Sequence, residues 1–533
     1  MILNFLIRRY LNINSSSSTE DSAELLVSVV SQVDQAESII KFGFRVSLLI
    51  HMVIGKLAFQ LPLVGNALIG LNALIEMNHH ERSTTRAPSL KEFNINVNDI
   101  WDLVVIGSGP GGAIAAWEAV NKGMKVLVIE KGGREESGIK HHSLDQLYQM
   151  FAHGGQQVIL GPTPIAYAQG EVFGGGSQVN SGLYHRTPEV VRQFWAEKCK
   201  VSASQIEQAE LEVEKILGVE LQNEMNLGIY KRSPIIQFSE NMNWNVAQIP
   251  RWRRYKSVDE FDHAGMSETY LRLAEEKGGR VVVNCEVTRI EPKHDSVKLQ
   301  VSNKNSKYEF VSKKVCLSAG PIETPRILIR SKLARPKDFS IGFHAMTRVV
   351  AEFDREVNDL SDIDPFQSWT ENYENKFGAG VASSALIAGT LKLQKINHVK
   401  LMNPKKIGVY YSSTVAIGRS RFIKIFRTAY PFFTMSRKCK TEIMSSNEML
   451  RKAIKSIPNT RILTPIARRP SVTSVHIFGS MPIGRSKLLD EKGRLRGYET
   501  KVRVIDSSIL PSAPRVNPQG PAMMLFTILA KDV

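Results

Sequence analysis

Gly107, Gly109 and Gly112 stand in the spacing G-x-G-x-x-G, within "DLVVIGSGPGGAIAAWEAVNKGMKVLVIE". In that spacing the first glycine permits a tight turn out of a strand. The second lets a diphosphate approach the backbone, and the third lets a helix lie close to the sheet. Free N–H groups at the helix start, aided by the positive end of its dipole, stabilise phosphate. Glu130 follows near the spacing expected of an acid that accepts hydrogen bonds from an adenosine ribose. A 2′-phosphate would meet that carboxylate unfavourably, so NADP fits poorly. The chemistry indicated is dinucleotide binding. The glycines alone do not choose between NAD and FAD.

These residues need a particular set of elements to hold them. "DLVVIG" is a short apolar run ending in glycine, "GGAIAAWEAVNKG" has helical character, and "MKVLVIE" is a second apolar run. The order predicts a β-α-β unit with parallel strands. Further on, "GMSETYLRLAEEKGGRVVVNCEVTRIEP" reads as helix then strand, and "YEFVSKKVCLSAGPIETPRILIRS" as strand, glycine turn and helix. Residues from about 341 to 470 mix alternating strands with irregular segments, and the last sixty or so carry short strands and a helix.

The 533 residues allow two or three domains with a large core. A composition 43% hydrophobic and 23% charged excludes long-range disorder. The net charge of +17 suits either an anionic partner or a plain basic enzyme. Cys199, Cys285, Cys316 and Cys439 lie far apart in the chain, which argues against a CxxC metal site or a dense disulfide framework, and no metal is expected. The opening residues make a poor secretory signal, having no small-residue cleavage site. Residues 41–77 are strongly apolar but interrupted by Lys56, Gln60, Pro62, Asn66 and Asn72, which suggests packed or interfacial helices rather than a span. The expected location is cytoplasmic, with membrane association through that segment left open.

Three distant segments decide between the cofactors. "GEVFGGGSQVNSGLYHRTP", "VCLSAGPIETPRILIRS" and "SVHIFGSMPIG…RVIDSSILPSAPRVNPQGPAMMLFTIL" join the glycine loop in matching order. Together, over roughly residues 100–533, they resemble the glucose–methanol–choline (GMC) oxidoreductases, which are FAD-dependent alcohol oxidases and dehydrogenases. The resemblance implies an α/β fold: an FAD-binding Rossmann-like domain with a second antiparallel-sheet substrate domain, here preceded by an N-terminal helical extension. It divides the chain after residue 98 into FAD-binding segments at 99–195, 255–340 and 471–533 and substrate-domain segments at 196–254 and 341–470; residues 1–98 lie outside the resemblance and read, from their apolar spacing, as a helical extension and linker.

Carried over by position, Gly107, Gly109, Gly112 and Glu130 would hold the ADP half of FAD, with Val287 near the adenine. Gly174, Gly175, Ser177 and Asn180 would run beneath the diphosphate and flavin. Ala319 and Gly320 would add a backbone contact, and Asp506 would lie near the ribityl chain. His476 matches the family's active-site histidine and Asn517 its partner. Pro518 would open a helix aimed at the pyrimidine side of the flavin. Some relatives attach FAD through a histidine where this chain has Val179, so dissociable FAD is expected. The partners expected are a small-molecule alcohol, lipophilic or a sugar or polyol, and an electron acceptor that the sequence does not name. Nucleic acid is not expected. The same fold also hosts hydroxynitrile lyases, which leaves a non-redox or inactive member as the alternative. "GRSRFIKIFRTAYPFFTMSRKCK" interleaves cations with aromatics and suits either a membrane surface or a basic face over a core strand.

Overall fold

The apolar run of the glycine unit becomes strand β1, Ile100–Ile106, whose last four residues are at most 3% exposed. In the computed structural model β1 lies parallel to β2, Val126–Ile129, and helix α1, Pro110–Asn121, connects them. Strands covered on both faces need apolar residues at every position, and these runs supply them. The structure describes residues 99–135, 144–155, 157–255, 261–303, 306–360, 362–380, 403–425, 428–465 and 471–533. The expected N-terminal extension, with its apolar segment, lies outside the described residues.

The first sheet continues with β3, Arg280–Val282, β4, Glu286–Pro292, β5, Val297–Ser302, and β6, Lys307–Leu317, in the order β3-β2-β1-β6-β5-β4. One edge of β6 pairs in parallel with β1. Its other edge is shared by antiparallel β5 and, at residues 315–317, by the parallel strand Val502–Val504. The nucleotide unit is therefore completed by chain from near the C-terminus, as the separated motifs imply. Helix α2, Gly320–Arg330, follows β6.

The second sheet has ten strands and is largely antiparallel. Its centre comprises β7, Gly342–Glu352, β8, Phe366–Trp369, β9, Lys376–Ala379, and β10, Ile407–Val415, in the order β7-β10-β9-β8. The short strands Thr473–Ser474 and Ile477–Phe478 also pair with β7. Helix α3, Arg437–Lys455, covers one face of this sheet: Leu450, Ala453 and Ile454 pack with Val349, Ala351, Phe377 and Tyr410. The sequence reading of 341–470 did not anticipate this helix. Its buried residues Cys439, Ile443, Ser446, Leu450, Ala453 and Ile454 recur at helical spacing, but they are diluted by a polar outer face. Ser436 caps it by accepting from Cys439 N–H at 3.1 Å.

The basic, aromatic stretch folds as a hairpin of Gly418–Ile425 and Thr428–Met435. Phe422 and Phe433 are buried against Phe339 and Phe343, while Arg419 and Arg421 face outward. Those two phenylalanines belong to the core. Among the described residues no helix is long and apolar enough to cross a membrane. The last helix, α4, Gln519–Ala530, is buried on nearly all sides and packs against α1.

Candidate active site

Backbone contact dictates the glycine loop. Gly107 has φ +95°, and a Cβ there would lie 2.4 Å from the carbonyl oxygen of Ser318. A Cβ on Gly112 would lie 2.0 Å from Gly107 O, so only glycine lets α1 approach this closely. Ser318 closes the arrangement from the other side, with its N–H donating to Ile106 O and its hydroxyl to Ile505 O. Asp506 then gathers the next two motifs. Its Oδ2 accepts from Gly320 N–H at 2.9 Å and Thr324 Oγ1 at 2.5 Å, and its Oδ1 accepts from Ser508 N–H at 2.8 Å and from the Ser508 hydroxyl. Ala319 is the residue before α2 and lies against Gly107.

The second glycine loop meets the first. Gly174 N–H donates to Ser108 Oγ at 2.9 Å, and a Cβ on Gly175 would lie 2.7 Å from Gly109 Cα. Added Cβ atoms on Gly109 and Gly176 would meet nothing within 4 Å, so both loops open onto free space beside their contact. Ser177 ties the loop together by donating to Gly174 O at 2.7 Å. Asn180 donates to Gln519 Oε1 at 2.6 Å, which joins this loop to the start of α4. Bare glycine backbone on two sides and a helix start without a side-chain cap suit a diphosphate.

Glu130 is buried, and its carboxylate is largely engaged by protein. Oε2 accepts from Ser108 N–H and Oγ, and Oε1 accepts from Gly132 N–H. Burial raises its pKa against the opposing effect of those bonds. Val287 is buried in β4, two residues beyond Cys285, whose N–H donates to Glu130 O. Val287 thus follows closely on the chain that meets the strand end carrying Glu130. Pro518 stands one position before α4 rather than at its first residue, with helical φ −75° and ψ −16°; assignments at helix ends vary by that much.

The expected catalytic pair, His476 and Asn517, is held by residues of the second sheet. Cross-strand partners share a face, and strand neighbours alternate. The pairs His344–Val415, Lys376–Ser413 and Gln367–Gly378 therefore put His344, Lys376 and Gln367 on one face, opposite the face covered by α3. Each holds one residue from outside these four strands. His344 Nδ1 bonds His476 Nδ1 at 3.1 Å, Lys376 Nζ donates to Asn517 Oδ1, and Gln367 Oε1 bonds His185 Nε2 at 2.8 Å. His476 and Asn517 share no hydrogen bond. Their partners His344 and Lys376 stand on the same sheet face.

Among the described residues no carboxylate bonds to His185, His344, His476 or Lys376. Burial lowers the pKa of His344 to about 3, with the Lys376 charge adding to the effect. Burial also holds His476 well below the ordinary imidazole value, helped by His344, Lys376 and His185. Lys376, 2% exposed, is brought down to about 7 by burial. A neutral imidazole keeps a free ring nitrogen as a hydrogen-bond acceptor, and an amine beside it that retains its proton favours negative charge developing on an oxygen.

Sequence reasoning missed His185, His344, Lys376 and Gln367. Their only signal is a polar residue at an inward position of an otherwise buried strand or loop, and this needs the register to be seen.

The wider resemblance agrees with this geometry. Models of the GMC oxidoreductase family match residues 144–347 and 403–525, together more than half of the chain. An NAD(P)-binding Rossmann-like model matches residues 105–143. An uncharacterised GMC-type oxidoreductase of Sinorhizobium fredii is 25% identical over 477 residues, which is 81% of this chain and 94% of the relative. A long-chain-alcohol oxidase of Arabidopsis thaliana is 25% identical over 372 residues, 63% of this chain and 48% of the relative. Pyridoxine 4-oxidase from Mesorbium loti superposes with a TM-score of 0.62 at 14% identity, covering 81% of this chain and 99% of that one, which is a likeness of fold. With two family models in order along the chain and a full-length relative of the same kind, the chain belongs to the GMC oxidoreductase family.

Proposed function

We propose that the protein is an FAD-dependent oxidoreductase that oxidises the CH–OH group of an alcohol. The observation that carries this reading is that His476 and Asn517 each bond a residue on the same sheet face, His344 and Lys376, while Asn180 and Gln519 join the nucleotide loop to the helix beside Asn517. FAD would be held by Gly107, Gly109, Gly112 and Glu130 at its ADP half and by Gly174, Gly175, Ser177 and Asn180 along the diphosphate. Val287, Ala319, Gly320, Asp506 and Pro518 would complete the contacts. Val179 offers no attachment point, so the cofactor is dissociable. Bound FAD would supply the two-electron acceptor for the hydride leaving the carbinol carbon.

The protein moves the proton. His476 accepts it from the substrate hydroxyl at Nε2, which requires the other ring proton to sit on Nδ1 and donate to His344 Nδ1. His344 thereby fixes the tautomer of His476. The Asn517 amide donates to the oxygen as its negative charge grows. The substrate loses one proton and one hydride, becoming a carbonyl compound.

The relative named a long-chain-alcohol oxidase makes aliphatic alcohols the first substrates to try. Anaerobic mixing of the purified yellow protein with dodecyl alcohol, benzyl alcohol and glucose tests the reading. The expected result is loss of the oxidised-flavin absorbance with at least one of them. A flavin that no alcohol reduces, in a protein that still performs histidine-dependent lyase chemistry, overturns it.

A further inference from the structure

Lys376 is the least expected residue of the site. It lies on β9 with 2% exposure, and among the described residues no carboxylate pairs with it. Its strand neighbour Phe377 faces the apolar layer under α3, while Lys376 faces the site. A buried ammonium costs more than an aliphatic side chain of the same length, so the fold itself gains nothing from it. Its one hydrogen-bond partner among the described residues is the side-chain oxygen of Asn517.

An ammonium has three donors and no acceptor, whereas a carboxamide has a donor end and an acceptor end. Facing Lys376 in its ammonium form, Asn517 can therefore present only its oxygen to the sheet. The amide nitrogen is turned the other way. Without that constraint the amide can rotate by half a turn and present its oxygen to the substrate oxygen. An acceptor there repels the charge that a donor would stabilise.

We infer that Lys376 is a positioning residue that locks Asn517 with its amide N–H group toward the reacting oxygen of the substrate. The inference rests on the reading of Asn517 given above. Lys376→Met keeps the length of the side chain and removes the donor. Flavin reduction should slow by between about twofold, for a freely rotating amide, and the full effect of deleting one oxyanion donor, about 10²–10³-fold. FAD content and apparent substrate affinity should be little changed. Lys376→Gln, which keeps a donor, should recover part of the rate.

The experiment is anaerobic stopped-flow reduction of wild type, Lys376→Met, Asn517→Ala and the double variant, each loaded with FAD. The reductant is whichever of dodecyl alcohol, benzyl alcohol and glucose reduces the wild-type flavin fastest. The expected result is that Lys376→Met slows the wild type but adds nothing in the Asn517→Ala background. Equal slowing in both backgrounds means that Lys376 acts independently of Asn517 and overturns the inference. A slowed Asn517→Ala beside an unaffected Lys376→Met overturns it alone. An unaffected Asn517→Ala overturns the reading of the site and this inference with it.

Discussion

Replacing Lys376 by methionine should make the protein more stable, and the gain should depend on pH in a defined direction. Burial lowers the Lys376 pKa from 10.5 to about 7. At 1.36 kcal/mol per pH unit, the proton on this group costs the folded state about 5 kcal/mol below pH 7. The sign follows from proton counting. Between pH 7 and 10.5 the unfolded chain keeps the proton and the folded chain releases it, so wild-type stability rises with pH across that window. The penalty is fully present below about pH 7 and is relieved as pH approaches 10.5. Methionine removes the penalty but leaves Asn517 Oδ1 without its donor, a loss of about 1–3 kcal/mol. The variant should then exceed wild type by about 2–4 kcal/mol at pH 6, and by about 3 kcal/mol less at pH 9. Urea unfolding of both proteins at matched FAD occupancy, at pH 6 and pH 9, measures the difference. A gap that is the same at both pH values, or a variant less stable than wild type at pH 6, would refute the reasoning.

Other expectations concern the nucleotide cradle. Gly112→Ala places a methyl group 2.0 Å from Gly107 O, so it should cost about 1–3 kcal/mol and weaken FAD retention on gel filtration. Wild-type stability and retained flavin absorbance would show that α1 can shift to accept the methyl. Because Val179 stands at the attachment position, acid precipitation should release all of the flavin into the supernatant. Yellow colour that stays with the precipitate would show a covalent bond.

Much of the nucleotide side was legible in the sequence, because backbone geometry imposes it. Gly107 and Gly112 are glycines for reasons of contact that any β-α-β unit shares, and the apolar runs of β1 and β2 mark strands buried on both faces. Asp506 and Gly320 are 186 positions apart and still fall in recognisable motifs, each at the end of an apolar strand. The substrate side was far less legible. Its chemistry depends on which face of β7, β8 and β9 looks inward, and a shift of one residue reverses that face. His344 and Lys376 read as unremarkable polar residues until the pairs with Val415 and Ser413 fix them on one side. Helix α3 was hidden in a similar way, its buried stripe thinned by lysine and arginine.

The central claim is that His476 takes the hydroxyl proton while Asn517 steadies the oxygen, both beside bound FAD. Anaerobic stopped-flow reduction of the flavin in wild type and in His476→Ala tests it most directly. The account predicts that His476→Ala retains its FAD and is reduced by alcohol about 10²–10⁴-fold more slowly. Reduction at the wild-type rate by a fully loaded His476→Ala protein would contradict it.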